Sequence, residues 1–360
     1  MVTAMRTMKE KTRRDLTLTV LFVIFVAILL QVANVKFDSY QKQVLSLMAI
    51  YGIMAVSLNL VNGITGVFSL GHAGFILLGA YTSALLTIPP EQKAMIFIIE
   101  PAHPFIANLH TDFFTATIVA GGISALGAFI IGFPVLRLSG DYLAIASLGF
   151  SEVLRILALN LQSITNGSLG LKGIPNHTNI WWSWGWLLVT VLFIVSLVKS
   201  SYGRALLAIR ENPIAAEAMG INVFKHTLLS FVISAFFAGV SGSLYAHWLT
   251  TIDPRITTFG PVLTYYVLIM VVLGGLGSVS GSIIGAILFA FLMEWLRMFE
   301  QPFTLFGRQY PAIQGMRMLV LSVLFVVTMI VWKRGLFGRA EITWDGIRKL
   351  MKKFRRSGSR

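Results

Sequence analysis

The chain has 360 residues, of which 56% are hydrophobic and only 12% charged, and its mean hydropathy is +0.78. A water-soluble globule could not hide that much apolar surface, so the composition excludes one and predicts an all-α, polytopic membrane protein. The formal net charge is +14, and there is no cysteine, which excludes disulfides, thiolate nucleophiles and Cys-based metal sites.

Residues 1–15 carry five Lys/Arg against Glu10 and Asp15 and read as a basic cytoplasmic tail. The apolar run that follows, 16–33, is too long for a usual signal-peptide core, and no small-residue cleavage site comes after it, so it is taken as the first span. Further apolar runs at 43–61, 64–88, 113–133, 140–160, 181–198, 226–249, 262–276, 279–298 and 311–332 bring the expected count to ten spans within a permease domain at 16–332. An even count places both termini on one side, as the basic tail at 333–360, with ten Lys/Arg against Glu341 and Asp345, also requires. The tails offer no folded basic face with aromatics, so they are expected to meet anionic lipid and not nucleic acid. Trp181, Trp182, Trp184 and Trp186 at the start of the sixth run suit an outer interfacial belt.

Two segments interrupt the apolar pattern. One holds Gly63, Gly66, Ser69, Gly71, His72 and Gly74; the other holds Gly274, Gly275, Gly277, Ser278 and Ser280. Paired glycine-interrupted segments in two halves of a chain point to broken or re-entrant helices and a transport path, and single ones to close helix crossings. The candidate path residues are therefore Gly66, Ser69, Gly71, His72, Gly74, Gly275 and Gly277.

The longest polar stretch between apolar runs, 199–225, falls on the cytoplasmic side of the ten-span count. It contains a short helix with both ends marked: Asn212 as N-cap, Pro213 at the first position and Gly220 just past the end, around Ala216, Glu217 and Ala218. Two spans can be joined without such a helix, so it reads as a docking element.

The chain has no G-x-x-x-x-G-K-[ST], and hence no P-loop for ATP, and its six histidines lack metal-ligand spacing. Gly239-Val240-Ser241-Gly242 resembles the serine motif of intramembrane proteases, a chemistry that also needs a facing histidine base; close packing through small residues explains it equally. Glu152 with Arg155, and Glu294 with Arg297, have the i, i+3 spacing of intrahelical pairs, and contact with a substrate is the other use of such groups.

Several stretches together resemble the LivM-type permeases of branched-chain amino acid ABC importers, within the LivH/LivM permease group. They are Ser57-Leu58-Asn59-Leu60, Ser69-Leu70-Gly71-His72-Ala73-Gly74-Phe75, Leu136-Arg137-Leu138-Ser139-Gly140-Asp141-Tyr142, Ser201-Tyr202-Gly203-Arg204, Gly274-Gly275-Leu276-Gly277 and Gly335-Leu336-Phe337-Gly338. The chain departs from the family pattern at Thr165-Asn166-Gly167, at Trp332-Lys333-Arg334 and in the length of its basic tail. The resemblance implies a non-enzymatic permease subunit in the cytoplasmic (inner) membrane. It implies a LivH-type partner permease, two ABC ATPase subunits that use ATP, and an extracytoplasmic solute-binding protein. Glu217-Ala218 through Gly220 then correspond to the coupling helix that enters the ATPase. Other members of the group carry urea or short amides, and an ion-coupled carrier working alone is the rival from another class.

Overall fold

The computed structural model describes residues 2–138, 140–300, 303–305, 308–310, 315–331, 335–338 and 340–341. Most of the expected basic tail at 333–360 lies outside the described residues. The chain divides into two units, residues 1–42 with 340–360, and residues 43–339.

In the first unit, helix α1 (Val2–Lys36) has 35 residues and contains a stretch, Thr17–Lys36, of mean hydropathy 2.6. The Gln41 side chain accepts from the Asp38 amide, and the chain turns there into α2 (Ser39–Asn59).

The second unit continues α2 through a π-helical turn, Leu60–Thr65, into the first interruption. Then follow α3 (His72–Thr87), α4 (Pro90–Ile96), α5 (Pro104–Ala107), α6 (Phe113–Val135), α7 (Asp141–Asn160), α8 (Gln162–Thr165) and α9 (Ile180–Lys199). The cytoplasmic-loop candidate folds as α10 (Ser201–Glu211) and α11 (Pro213–Ala218), and α12 (Val223–Leu249) returns to the core. The last part holds α13 (Ile256–Phe259), α14 (Pro261–Gly274), α15 (Val279–Leu296) and α16 (Met316–Val331). Leu171–Lys172 pairs antiparallel with Thr251–Ile252, and Phe303–Leu305 with Arg308–Tyr310.

The helix starts follow from side-chain caps. Asp112, Asn179, Asn222 and Ser278 each accept from a backbone amide three residues on, which satisfies one of the free donors of a helix N-terminus. Glycine ends are equally marked: Gly66 closes the π turn at φ +79°, and Gly275 stops α14 at φ +121°.

The core is built on small residues. A Cβ on Gly79 of α3 would strike the backbone of Gly239 in α12, and one on Gly242 would strike the Ile76 and Ala80 backbone. Gly239 in turn abuts Ser124 of α6. These close approaches draw α3, α6 and α12 together, and α2, whose second half is buried on every side, meets α3 and α12 through Ser57. Gly274 and Gly285 bring α14 and α15 together in the same way.

The described residues contain seven helices long and apolar enough to cross a membrane, or eight if the bent pair α3–α4 is one span; the bend between those two is 119°. The ten-span expectation thus meets two shorter apolar helices, Pro261–Gly274 and Met316–Thr328. At 1.5 Å per residue α14 is about 21 Å long, short of a ~30 Å hydrocarbon core. The expected third span also changes shape. Its first two residues belong to the π turn after α2, 66–71 are not helical, and the span proper begins only at His72.

Candidate functional site

The two glycine interruptions, expected in separate halves of the sequence, meet in the structure. Asn59, fully buried at the end of α2, forms both hydrogen bonds of the clamp between them. Its Oδ1 accepts from the Gly277 amide at 2.8 Å, and its Nδ2 donates to the Ser278 carbonyl at 2.9 Å. Gly63 lies so close to the Gly277 backbone that a Cβ has no room. The turn at 335–338 closes the other side of the second interruption: the Leu336 and Phe337 amides donate to the Leu273 and Gly274 carbonyls at 2.9 and 3.0 Å.

The first interruption, 66–71, is held as a shaped loop. Asn62 bonds both backbone groups of Ser69, donating to its carbonyl and accepting from its amide at 3.1 Å. The Leu70 amide donates to Ser147 Oγ of α7 at 2.9 Å, and the Ala73 amide to Thr264 Oγ1 of α14 at 3.0 Å. His72, poised in the sequence between a substrate contact and a helix contact, is buried, and its Nε2 lies 3.0 Å from Ser57 Oγ of α2. Gly71 and Gly74 abut Ser147 and Ser151, respectively, where side chains would collide with α7. Gly71, Ser147 and Ser151 also line, with Phe75, Ile131 and Phe231, a shallow, closely packed apolar crevice.

The 199–225 stretch is two helices where the sequence suggested one. Ser200 caps α10 by accepting from Gly203, and Gly203 is pressed against the Val198 carbonyl, so the chain reverses sharply out of α9. Tyr202 stacks on His226, with centroids 4.4 Å apart, and burial raises its phenol pKa. In α11 every marker found in the sequence takes its expected place. Asn212 Oδ1 accepts from the Ala215 amide at 3.0 Å, Pro213 opens the helix, and Gly220 adopts φ +84°. The Gly220 and Ile221 amides then close on the Glu217 and Ala216 carbonyls. Ala216 is buried, while Ile214 and Met219 are 79% and 83% exposed. Two large apolar side chains therefore stand free on a short, doubly capped helix.

Arg210, at the end of α10, joins these parts. Its Nη1 donates to the Gly63 carbonyl at 3.0 Å, and its Nε and Nη2 reach Glu211 Oε1 at 3.3 and 3.0 Å. Neither Arg210 nor Asn59 was singled out as functional from the sequence. The sequence shows Asn59 only as an amide inside an apolar run, which marks the residue but names no partner.

The charged pairs are intrahelical. Arg155 Nη2 and Nε bond Glu152 Oε2 at 2.7 and 2.9 Å, and Arg297 lies 3.6 Å from Glu294. Ser241 donates to the Ala238 carbonyl of its own helix, whereas His247 is engaged by Thr87 Oγ1 at 2.7 Å and by the Ser243 carbonyl. The serine and its candidate base thus serve helix packing, and the protease reading has no dyad. A further residue that the sequence reading passed over is Lys93, 1% exposed, whose ammonium donates to the Ile106 and Leu109 carbonyls and staples the loop between α4 and α6. Burial lowers its pKa from the ordinary lysine value.

No solved structure matches the chain. The family model for the branched-chain amino acid transport system permease component matches residues 40–331. The high-affinity branched-chain amino acid transport system permease protein LivM of Salmonella typhimurium is 34% identical over 80% of this chain and 70% of its own length. LivM of Escherichia coli K12 is 35% identical over 71% of the chain and 63% of its own length. The LivH permease protein of Salmonella typhimurium is 27% identical over 81% of the chain and 92% of its own length. The matched region includes both interruptions, the Asn59 clamp and helices α10 and α11, and the chain belongs to the family of branched-chain amino acid transport system permease components.

Proposed function

We propose that this chain is the LivM-type permease subunit of an ABC importer that moves branched-chain or similar hydrophobic amino acids across the cytoplasmic (inner) membrane. A LivH-type permease completes the pore, two ABC ATPase subunits supply the energy by using ATP, and an extracytoplasmic solute-binding protein delivers the solute. The chain itself binds no cofactor in this reading. Ten crossings, with α14 and α16 as short spans and α3 as one span, place both basic tails and α10–α11 in the cytoplasm.

The observation that carries the coupling role is α11. Asn212, Pro213 and Gly220 fix its ends, Ala216 seats it, and Ile214 and Met219 are left exposed beside Glu217 and Ala218. Apolar anchors on a rigid helix are what a groove-lining partner takes up. The path residues Gly66, Ser69, Gly71, His72, Gly74, Gly275 and Gly277 shape the interrupted helices that would rearrange between outward and inward access. Free energy enters through α11 because the ATPases contact it differently in the two states.

The doubly substituted Ile214→Glu/Met219→Glu chain tests this. It is expected to insert normally, since neither residue packs inside the protein, and to lose co-purification of the ATPase subunits. Retention of stoichiometric ATPase in that variant contradicts the docking role.

A further inference from the structure

We propose that Arg210 is a positioning residue that ties the cytoplasmic helices to both membrane interruptions at once, so that movement of α10–α11 reaches the two broken spans through a single guanidinium. This rests on the coupling role proposed for α11.

Three contacts carry it. The first is the hydrogen bond from Arg210 Nη1 to the Gly63 carbonyl at 3.0 Å. Gly63 sits inside the π turn, and beyond it the chain leaves the helix at Gly66, so its carbonyl lacks the ordinary donor of a continuing helix. The arginine supplies that donor from another element. The second contact is steric. Gly66, at φ +79°, lies against the Cα, Cβ and Cγ atoms of Arg210, and a side chain there would have to displace α10. The third reaches the other interruption: Gly277, at φ +91°, leaves room for Arg210 Nη1, and its own amide is fixed by Asn59. One side chain thus touches residues 63, 66 and 277.

The geometry is that of a linkage and not of a simple helix cap. Arg210 stands at the last turn of α10, two residues before the Asn212 cap of α11. A rigid shift of α11 therefore moves the base of the arginine directly. The planar fork is held on its other edge by Glu211, which fixes the direction in which Nη1 points. Because Asn59 locks the two interruptions to each other, a pull on Gly63 and a push on Gly277 are applied to one joined unit.

The test uses the full complex with its partner permease, ATPases and binding protein, reconstituted in vesicles with leucine outside and ATP at the ATPase face. The absence of cysteine allows spin labels at Phe68→Cys and Leu276→Cys, two exposed positions in the two interruptions. In the wild-type background the distance between labels is expected to shift on ATP addition. In Arg210→Met, ATP hydrolysis and the KM for loaded binding protein are expected to stay near wild type, while leucine moved per ATP falls about tenfold, the size of one lost charge-assisted hydrogen bond, and the label shift disappears. Should Arg210→Met fail to accumulate, Arg210→Lys keeps the cation but loses the fork, and reduced leucine per ATP is again expected. Full coupling ratio and an unchanged label shift in whichever variant assembles overturn the proposal. A wild-type complex that moves leucine without ATP would instead overturn the importer reading on which it rests.

Discussion

Asn59 shows what a single buried amide does in this chain. It has no exposed surface, and its two polar atoms each meet a backbone group 218 or 219 residues away. Asn59→Leu keeps the size of the side chain and strands the Gly277 amide and the Ser278 carbonyl. Each unpaired buried group costs about 1–3 kcal/mol, so a fall of several degrees in the thermal unfolding midpoint in detergent is expected. Asn160→Leu is the comparison: its Nδ2 donates only to the Ile156 carbonyl of its own helix on an exposed face, and its midpoint should stay within experimental scatter. The sequence could not announce the role of Asn59 or of Arg210, because their partners are distant in the chain and are backbone groups, which no residue type marks. His72 illustrates the opposite case. Its position in a glycine-rich segment was visible, but its contact with Ser57 of α2 depends on packing between elements, which the sequence does not display.

At the level of elements, what was legible was whatever local chemistry writes. The ends of α11 were readable because an Asn-Pro start and a glycine stop act on their own neighbours. The two i, i+3 ion pairs were readable for the same reason. α10 was equally writable from local chemistry, with Ser200 as its cap and good helix formers from Arg204 to Glu211, but it was passed over beside the more sharply punctuated α11. The break at 66–71 was seen as glycine-rich, but its placement after a π turn depends on Asn62, Ser147 and Thr264 holding the loop. The close crossing of α3 and α12 gives a direct check. Gly79→Ala places a methyl group into the Gly239 backbone and is expected to reduce the folded yield sharply. Gly122→Ala, where a Cβ meets nothing within 4 Å, is expected to be neutral or stabilising by up to about 1 kcal/mol through helix propensity. Equal yields of the two variants, measured by size-exclusion chromatography of the solubilised protein, would contradict the packing assigned to α3 and α12.

For the molecule as a whole, composition dictates a multi-pass helical protein, and the helices at each of the ten apolar runs follow. The number of crossings is less direct, because α14 and α16 are shorter than a simple membrane span and the α3–α4 pair is bent by 119°. Short and broken helices are what a path between two interrupted segments uses, since backbone left without a helical partner survives in a membrane only where protein or water satisfies it. Here Asn59, Arg210 and the 335–338 turn do so. An importer of this kind needs no charged substrate cluster in its spans if selection occurs at the binding protein, and Glu152 is paired with Arg155, and Glu294 with Arg297. The measurement that bears most directly on this account is leucine uptake by vesicles holding the complete complex, compared with vesicles holding this chain and its partner permease alone. Uptake that requires ATP, the ATPase subunits and the binding protein, and that ignores imposed proton or sodium gradients, is the expected result; gradient-driven uptake by the permeases alone would contradict it.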